Sequence, residues 1–279
     1  MNTHNASLSP LLVEHKNGLA ILTLNKPKIN NAFDDEMISL LIMALDDCSL
    51  DDDVKAIQLR GVGKHFSAGA DLNWMRSMAQ LDYSENQKDA SQLARLMSTL
   101  YHLEKPTVAI IQGASYGGAV GLIACCDIAI ATKGSSFCLS EVKIGLVPAV
   151  ISPYVIKAIG ERQARRYFIS GEVMSDSKAL AMNLIHEVLP ATEIDEYVDT
   201  LCNQLLKNGP NAMGISKTLV QKVARETLHK GQNDNLTLYT RDLIAQVRVS
   251  DEGQEGLSAF LEKRPARWIS QRTAGNDND

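Results

Sequence analysis

Residues 107–131 read TVAIIQGASYGGAVGLIACCDIAIA. Pro106 opens the unbroken apolar run Thr107–Gln112, which has the length of a strand buried on both faces. Gly117-Gly118 then begins a short helix to about Cys125, and Asp127–Ala131 is again strand-like. A buried strand, a glycine turn, a short helix and a second buried strand predict an α/β protein.

The same alternation extends towards the N-terminus. Leu11–His15 and Leu19–Asn25 flank Asn17-Gly18, a hairpin signal because both turn residues tolerate positive φ. After Pro27, Asp34 or Asp35 caps a helix through about Cys48, with Met37, Leu40, Leu41, Ala44 and Leu45 on one face. Val54–Leu59 reads as a strand leading into Gly61. Residues 80–90 read as a polar segment, followed by helical periodicity over Leu93–Leu103. Beyond residue 150 helical patterns dominate, at Arg162–Ser170, Ser175–Asn183, Asp195–Lys207, Ala212–Leu228 and Leu236–Val249, with Lys230–Asn235 as a short loop. The expected organisation is an α/β core over residues 1–200, a helical region over 201–268, and a disordered tail over 269–279.

Bulk properties remove several function classes. With 33 acidic against 28 basic residues the net charge is −5, which argues against nucleic acid as the main partner. The five cysteines include no CxxC spacing, and Cys125-Cys126 sits in an apolar run, so they read as buried hydrophobes in a reducing compartment rather than metal ligands. MNTHNASLSP has no signal-peptide pattern. The apolar run Ala119–Ala131 is broken by Asp127 and is shorter than the roughly 20 residues that span a bilayer. A cytoplasmic protein without membrane contact is expected.

Three segments could carry chemistry. In HFSAGADL, residues 65–72, small residues let a ligand approach the backbone and the following helix offers free N–H groups. The plainer alternative is a tight turn with Asp71 as helix cap. In GASYGGAVG, residues 113–121, a helix N-terminus at Gly118 suits an anion or a developing oxyanion. The spacing is neither GxGxxG nor a P-loop, and close helix–strand packing is its plainer role. In SEVKIGLVP, residues 140–148, Glu141 stands among apolar residues that would desolvate it and suit it to proton transfer. Alternatively it is a surface glutamate paired with Lys143.

Taken in order, these segments resemble the crotonase superfamily, the enoyl-CoA hydratases and isomerases. The resemblance covers nearly the whole chain. It includes Asn25-Lys26-Pro27 with Asn31-Ala32-Phe33, FSAGADL, GxxxGG followed by CDIAIA, SEVKIGLVP, and Glu255-Gly256 with AFLEKR at 259–264. It implies a crotonase-like spiral of β-β-α turns, a C-terminal helical trimerisation region, and a homotrimer or a hexamer of two trimers. It implies an acyl-CoA substrate, with coenzyme A as part of that substrate and no further cofactor or metal. Carried over residue by residue, the N–H groups of Ala68 and Gly118 hold the thioester oxygen and Glu141 moves protons. Lys26, Ala70, Asp71, Leu72, Met75 and Gly117 contact the acyl-CoA, and Phe260 and Lys263 reach CoA from a neighbouring subunit.

The pattern is broken at one position. Typical hydratases place a second glutamate three residues after the oxyanion-hole glycine, and here that position is Gly121. An isomerase needs only one carboxylate, and a non-catalytic acyl-CoA-binding member of the fold needs none. A hydratase could work if Glu141 delivered both parts of one water, or if a group on the substrate positioned it. The strings HFSAGADLNWMRSM, VGLIACCDIAIA and SEVKIGLVPAVISPYVIKAIGERQARRYF resemble the bacterial methylglutaconyl-CoA hydratases of leucine breakdown, which favours hydration. Such substrates carry a distal carboxylate, for which Arg76 is the candidate partner; its plainer role is a solvated surface arginine. Asn73, Trp74 and Met75 are candidates to line the acyl pocket, with core packing the equal alternative for Trp74 and Met75.

Overall fold

A computed structural model describes residues 9–226 and 235–270. The chain divides into two units, Met1–Leu103 with Thr107–Asp199, and Glu104–Pro106 with Thr200–Asp279.

The first unit is built on two sheets. β1 (Leu11–Lys16) and β2 (Leu19–Leu24) pair antiparallel around Asn17-Gly18, whose φ values of 50° and 83° are those the hairpin needs. Asp34 caps α1 (Asp35–Leu50), its side chain accepting from the Met37 N–H. β3 (Ala56–Gly61) lies parallel to β2. α2 (Leu72–Met78) and α3 (Tyr83–His102) follow, then β4 (Thr107–Ile111), β5 (Ala114–Tyr116), α4 (Gly118–Cys125), β6 (Ile128–Thr132) and β7 (Ser136–Cys138). α5 (Ser152–Ser170) is interrupted by non-helical backbone at Gly160 and leads to β8 (Val173–Ser175), α6 (Asp176–Ala181) and β9 (Glu187–Leu189). The larger sheet has the order β1-β2-β3-β4-β6-β9, and β5, β7 and β8 form the smaller one. The chain therefore switches sheets between β4 and β5 and again between β6 and β7. That is the expected β-β-α turn, and it delivers the start of α4 to the rim of the smaller sheet.

The core explains this path. Every residue of β4 is buried, and so are Ala119, Val120, Gly121, Leu122, Ile123 and Cys125 of α4. All five cysteines are buried and in the thiol form rather than in disulfides. α3 begins ten residues before the periodicity at Leu93, because Asp82 and Glu85 form a reciprocal capping box. Only Leu96, Met97 and Leu100 of this helix are buried, so its first turns carry no apolar stripe to betray them.

α7 (Ile194–Leu205) carries the chain into the second unit, which contains α8 (Pro210–Val223), α9 (Asn235–Val249), α10 (Asp251–Leu261) and α11 (Arg267–Ser270). α10 is a separate helix that the periodicity did not delimit; Ser250 caps it by accepting from Gly253 N–H. Glu255 ties the end of this unit together. Its two oxygens accept from Arg264, from the Arg267 N–H at 2.9 Å and from the Arg267 side chain at 3.0 Å. These partners, Arg264 foremost, hold its carboxyl down at about 2. The loop expected at Lys230–Asn235 falls, but for Asn235, outside the described residues. Of the tail expected over 269–279, Ile269 and Ser270 belong to α11 and the rest lies outside. No helix among the described residues is long and apolar enough to cross a membrane.

Candidate active site

Two loops meet at the first turn of α4. The first, between β3 and α2, is pegged by Asn31. This side chain is fully buried; its Nδ2 donates to the carbonyls of Val62 and His65, both at 2.9 Å, and of Phe66 at 3.2 Å. Its Oδ1 accepts from the Lys26 N–H at 2.8 Å. Asn31→Ala strands these carbonyls in the interior, where each unsatisfied group costs about 1–3 kcal/mol. It should lower the unfolding free energy by about 2–4 kcal/mol, read from urea denaturation.

Downstream of the peg the loop joins β5. Ser67 pairs parallel with Ser115, donating to Ala114 O at 3.3 Å and accepting from Tyr116 N–H at 3.1 Å. His65 Nδ1 accepts from Ala114 N–H at 2.9 Å, which makes this histidine a loop brace. Gly69 has φ of 90°, and a Cβ there would lie 2.7 Å from the Tyr116 carbonyl oxygen, so only glycine lets the two loops come this close.

The loop's N–H directions correct one expectation. The Ala68 N–H donates to the Asn30 carbonyl at 2.9 Å and is not free for a thioester oxygen. Ala70 is different. Its neighbours bond to Phe33, Gly69 O accepting from Phe33 N–H and Asp71 N–H donating to Phe33 O, both at 2.7 Å. Successive amides of an extended segment alternate sides, so the Ala70 N–H faces away from Phe33. Among the described residues neither the Ala70 N–H nor the Gly118 N–H has an acceptor. Phe33 links the two: it pairs with Ala70, and its ring lies 3.4 Å from where a Gly118 Cβ would stand. Ala70 with Gly118, rather than Ala68 with Gly118, is the pair of free donors.

Glu141 opens a short 3-10 turn (Glu141–Ile144) just after β7. A Cβ on Gly117 would meet Glu141 Oε1 at 3.2 Å, so the carboxyl lies directly over the glycine that precedes the free Gly118 N–H. Oε2 is sealed from solvent and has no hydrogen-bond partner among the described residues. Burial pushes the carboxyl up from the usual glutamate range. The alternative ion pair with Lys143 is not formed; that ammonium points at the Cys138 thiol, 4.0 Å away.

The position of the missing second glutamate is closed. A Cβ on Gly121 would lie 2.2 Å from Ile151 Cγ2 and 3.3 Å from Met97 Cε. Ile151 is 2% exposed and fills the notch.

Other expected contacts fare differently. Lys26, a candidate for CoA, has its ammonium committed to Asp34 and, at 3.7 Å, to Glu36. Asp71 caps α2, accepting from Asn73 and Trp74 N–H groups. Leu72 is exposed and Met75 half-buried. Asn73 and Trp74 line an open cleft with Asp34, Asp35, Asp71 and Asp89. Arg76 is exposed, donates to Asn73 Oδ1 at 3.1 Å, and pairs with no carboxylate among the described residues. Phe260 and Lys263 belong to the second unit, where Phe260 is 79% exposed. Sequence reasoning missed Ile151, because nothing in the apolar run around it signals a contact 30 residues away.

Known proteins similar to this chain point to one family. The family model described as enoyl-CoA hydratase/isomerase matches residues 14–271. A putative enoyl-CoA hydratase of Thermus thermophilus is 32% identical over 91% of this chain and 98% of that protein. The 2,3-dehydroadipyl-CoA hydratase of Escherichia coli is 28% identical over 92% and 97%. The crystal structure of an enoyl-CoA hydratase from Shewanella pealeana superposes with a TM-score of 0.89 at 44% identity, covering 94% of this chain and 96% of that one.

Proposed function

Because the chain belongs to the enoyl-CoA hydratase/isomerase family, we propose that it adds water across the double bond of an α,β-unsaturated acyl-CoA. The observation that carries this reading is the half-buried Glu141 carboxyl, whose Oε2 is sealed from solvent with no hydrogen-bond partner among the described residues, over the glycine that precedes the free Gly118 N–H, with the Ala70 N–H as the second free donor. The thioester oxygen binds the Ala70 and Gly118 N–H groups. As ionised Glu141 takes a proton from water, the water oxygen bonds to the β-carbon and the double-bond electrons move onto the thioester oxygen. The enolate's charge then meets two preoriented dipoles, reinforced by the start of α4. Glu141, now protonated, returns that proton to the α-carbon and is ready for another cycle.

Within this reaction the preferred substrate is 3-methylglutaconyl-CoA or a related branched carboxyacyl-CoA. The long strings around Ala68, Gly118 and Glu141 support it. So does a relative named for 2,3-dehydroadipyl-CoA, itself an acyl chain ending in a carboxylate. Arg76, without an acidic partner among the described residues, is available to hold that carboxylate. Assembly into a trimer or hexamer belongs to the same proposal, supported by the exposed apolar Leu257, Phe260 and Leu261 of α10.

The closed notch at Gly121 favours a second reading, an isomerase in which Glu141 shuttles one proton between carbons. A panel of enoyl-CoAs incubated in oxygen-labelled water and read by mass spectrometry separates the two. Hydration gives a product heavier by one water and carrying the label. An isomeric product of unchanged mass would overturn the hydratase reading.

A further inference from the structure

A water that adds to a double bond must be held by several polar partners, usually two to four. Glu141 supplies one. Across from it, the next turn of α4 supplies none. Gly121 lies three residues after Gly118, about 4.5 Å further along the helix, and so on the same face. What stands over Gly121 is the Ile151 side chain, with the Met97 methyl behind it. Glu141 and Ile151 belong to one segment, which lies over Gly117 with its first residue and over Gly121 with its last. The space over Gly121 is thus filled with hydrocarbon, and position 121 has no side chain to hold the water.

We infer that Ile151, seated in the Gly121 notch, makes the site depend on its substrate for the second polar partner of the water, and so restricts efficient hydration to acyl-CoAs bearing a carboxylate close to the β-carbon. In a glutaconyl-type chain that carboxylate is attached one carbon beyond the β-carbon. One of its oxygens can accept from the attacking water while Glu141 takes the other proton. Saturated extensions of the chain cannot do this, nor can an unsubstituted butenoyl chain. Ile151 is a positioning residue in this scheme: it touches no reacting atom, and acts by excluding a side chain from position 121. The inference rests on the hydratase reading and adds the reason for its selectivity.

The test uses the full-length protein with four thioesters in two matched pairs: glutaconyl-CoA with crotonyl-CoA, and 3-methylglutaconyl-CoA with 3-methylcrotonyl-CoA. The expected kcat for the carboxylated member of each pair is about 100-fold or more above its partner, the scale of a lost acid–base contact. The double variant Gly121→Glu/Ile151→Gly, which trades the isoleucine for a carboxylate, should raise kcat on crotonyl-CoA at least about 10-fold. Ile151→Gly alone, which makes space without a polar group, should not. A merely structural isoleucine would slow both members of a pair alike. Comparable kcat within the pairs, or a preference confined to KM, overturns the inference while leaving hydration intact. Addition of water to none of the four removes the hydratase reading itself. Should circular dichroism show that the double variant does not fold, the wild-type kcat ratios decide alone.

Discussion

Glu141→Gln should lower kcat by about 10⁴-fold, towards the upper end of what a general acid–base group contributes, and leave the protein at least as stable as the wild type. The size follows from the closed notch at Gly121: one carboxyl must both accept the water's proton and return it to the α-carbon. The stability follows from the carboxyl's surroundings. Oε2 has no hydrogen-bond partner among the described residues, and burial raises its proton affinity. A native group that holds its proton more tightly than the unfolded chain does makes the fold lose stability as pH rises from the ordinary glutamate value of 4.5 through the raised native one. Glutamine never ionises, so the variant escapes that loss at neutral pH. Its thermal midpoint at pH 7 should equal or exceed the wild type's. The same displacement sets the pH profile. Glu141 must be ionised to begin hydration, so the acid limb of kcat/KM should lie above the usual carboxylate range. It should vanish in the residual activity of the glutamine variant. A large fall in thermal midpoint alongside the lost activity would assign Glu141 a structural role instead.

Gly118→Pro is the second large effect. Proline at the first residue of a helix is well tolerated, because that N–H has no partner within the helix. At this position the added Cβ meets only the Phe33 ring, at 3.4 Å. What the substitution removes is the free N–H, and its ring carbon occupies the place of the bound oxygen. Loss of one preoriented donor costs about 10²–10³-fold, so kcat/KM should fall by at least that much. Gly118→Ala makes nearly the same contact with Phe33 and keeps the N–H, and should retain most of the activity. Similar losses in both variants would mean that space at residue 118, not its donor, is what the reaction needs.

These effects were legible in the sequence to different degrees, for physical reasons. The strand–glycine–helix rhythm at residues 107–131 is local: apolar runs, a Gly-Gly start and a short helix each leave a mark within a few positions. Glu141 was legible because a carboxyl in an apolar segment is conspicuous. The direction of an N–H is not local. Ala68 and Ala70 are both small residues of one loop, and only the Asn30 and Phe33 backbones tell which amide is spent and which is free. Lys26, expected to contact the acyl-CoA, has its ammonium taken by Asp34 at the start of α1. The first turns of α3 carry polar residues outward and were passed over, although the Asp82 and Glu85 pair marks their start. The contact of Ile151 with Gly121 joins two segments that no periodicity connects.

In the proposed reaction the donors that meet the enolate are main-chain N–H groups, and that determines how variation in this protein should register. An alanine-scanning library would find nothing at the oxyanion pair: position 70 is already alanine, and alanine at 118 leaves the amide in place. Such a library would score instead the residues that set the course of the backbone. Asn31 pegs three carbonyls from one side chain, and Phe33 pairs with Ala70. Their loss would read out as failed folding rather than failed chemistry. Tolerance maps of this chain will therefore place its catalytic information one layer behind the atoms that touch the thioester.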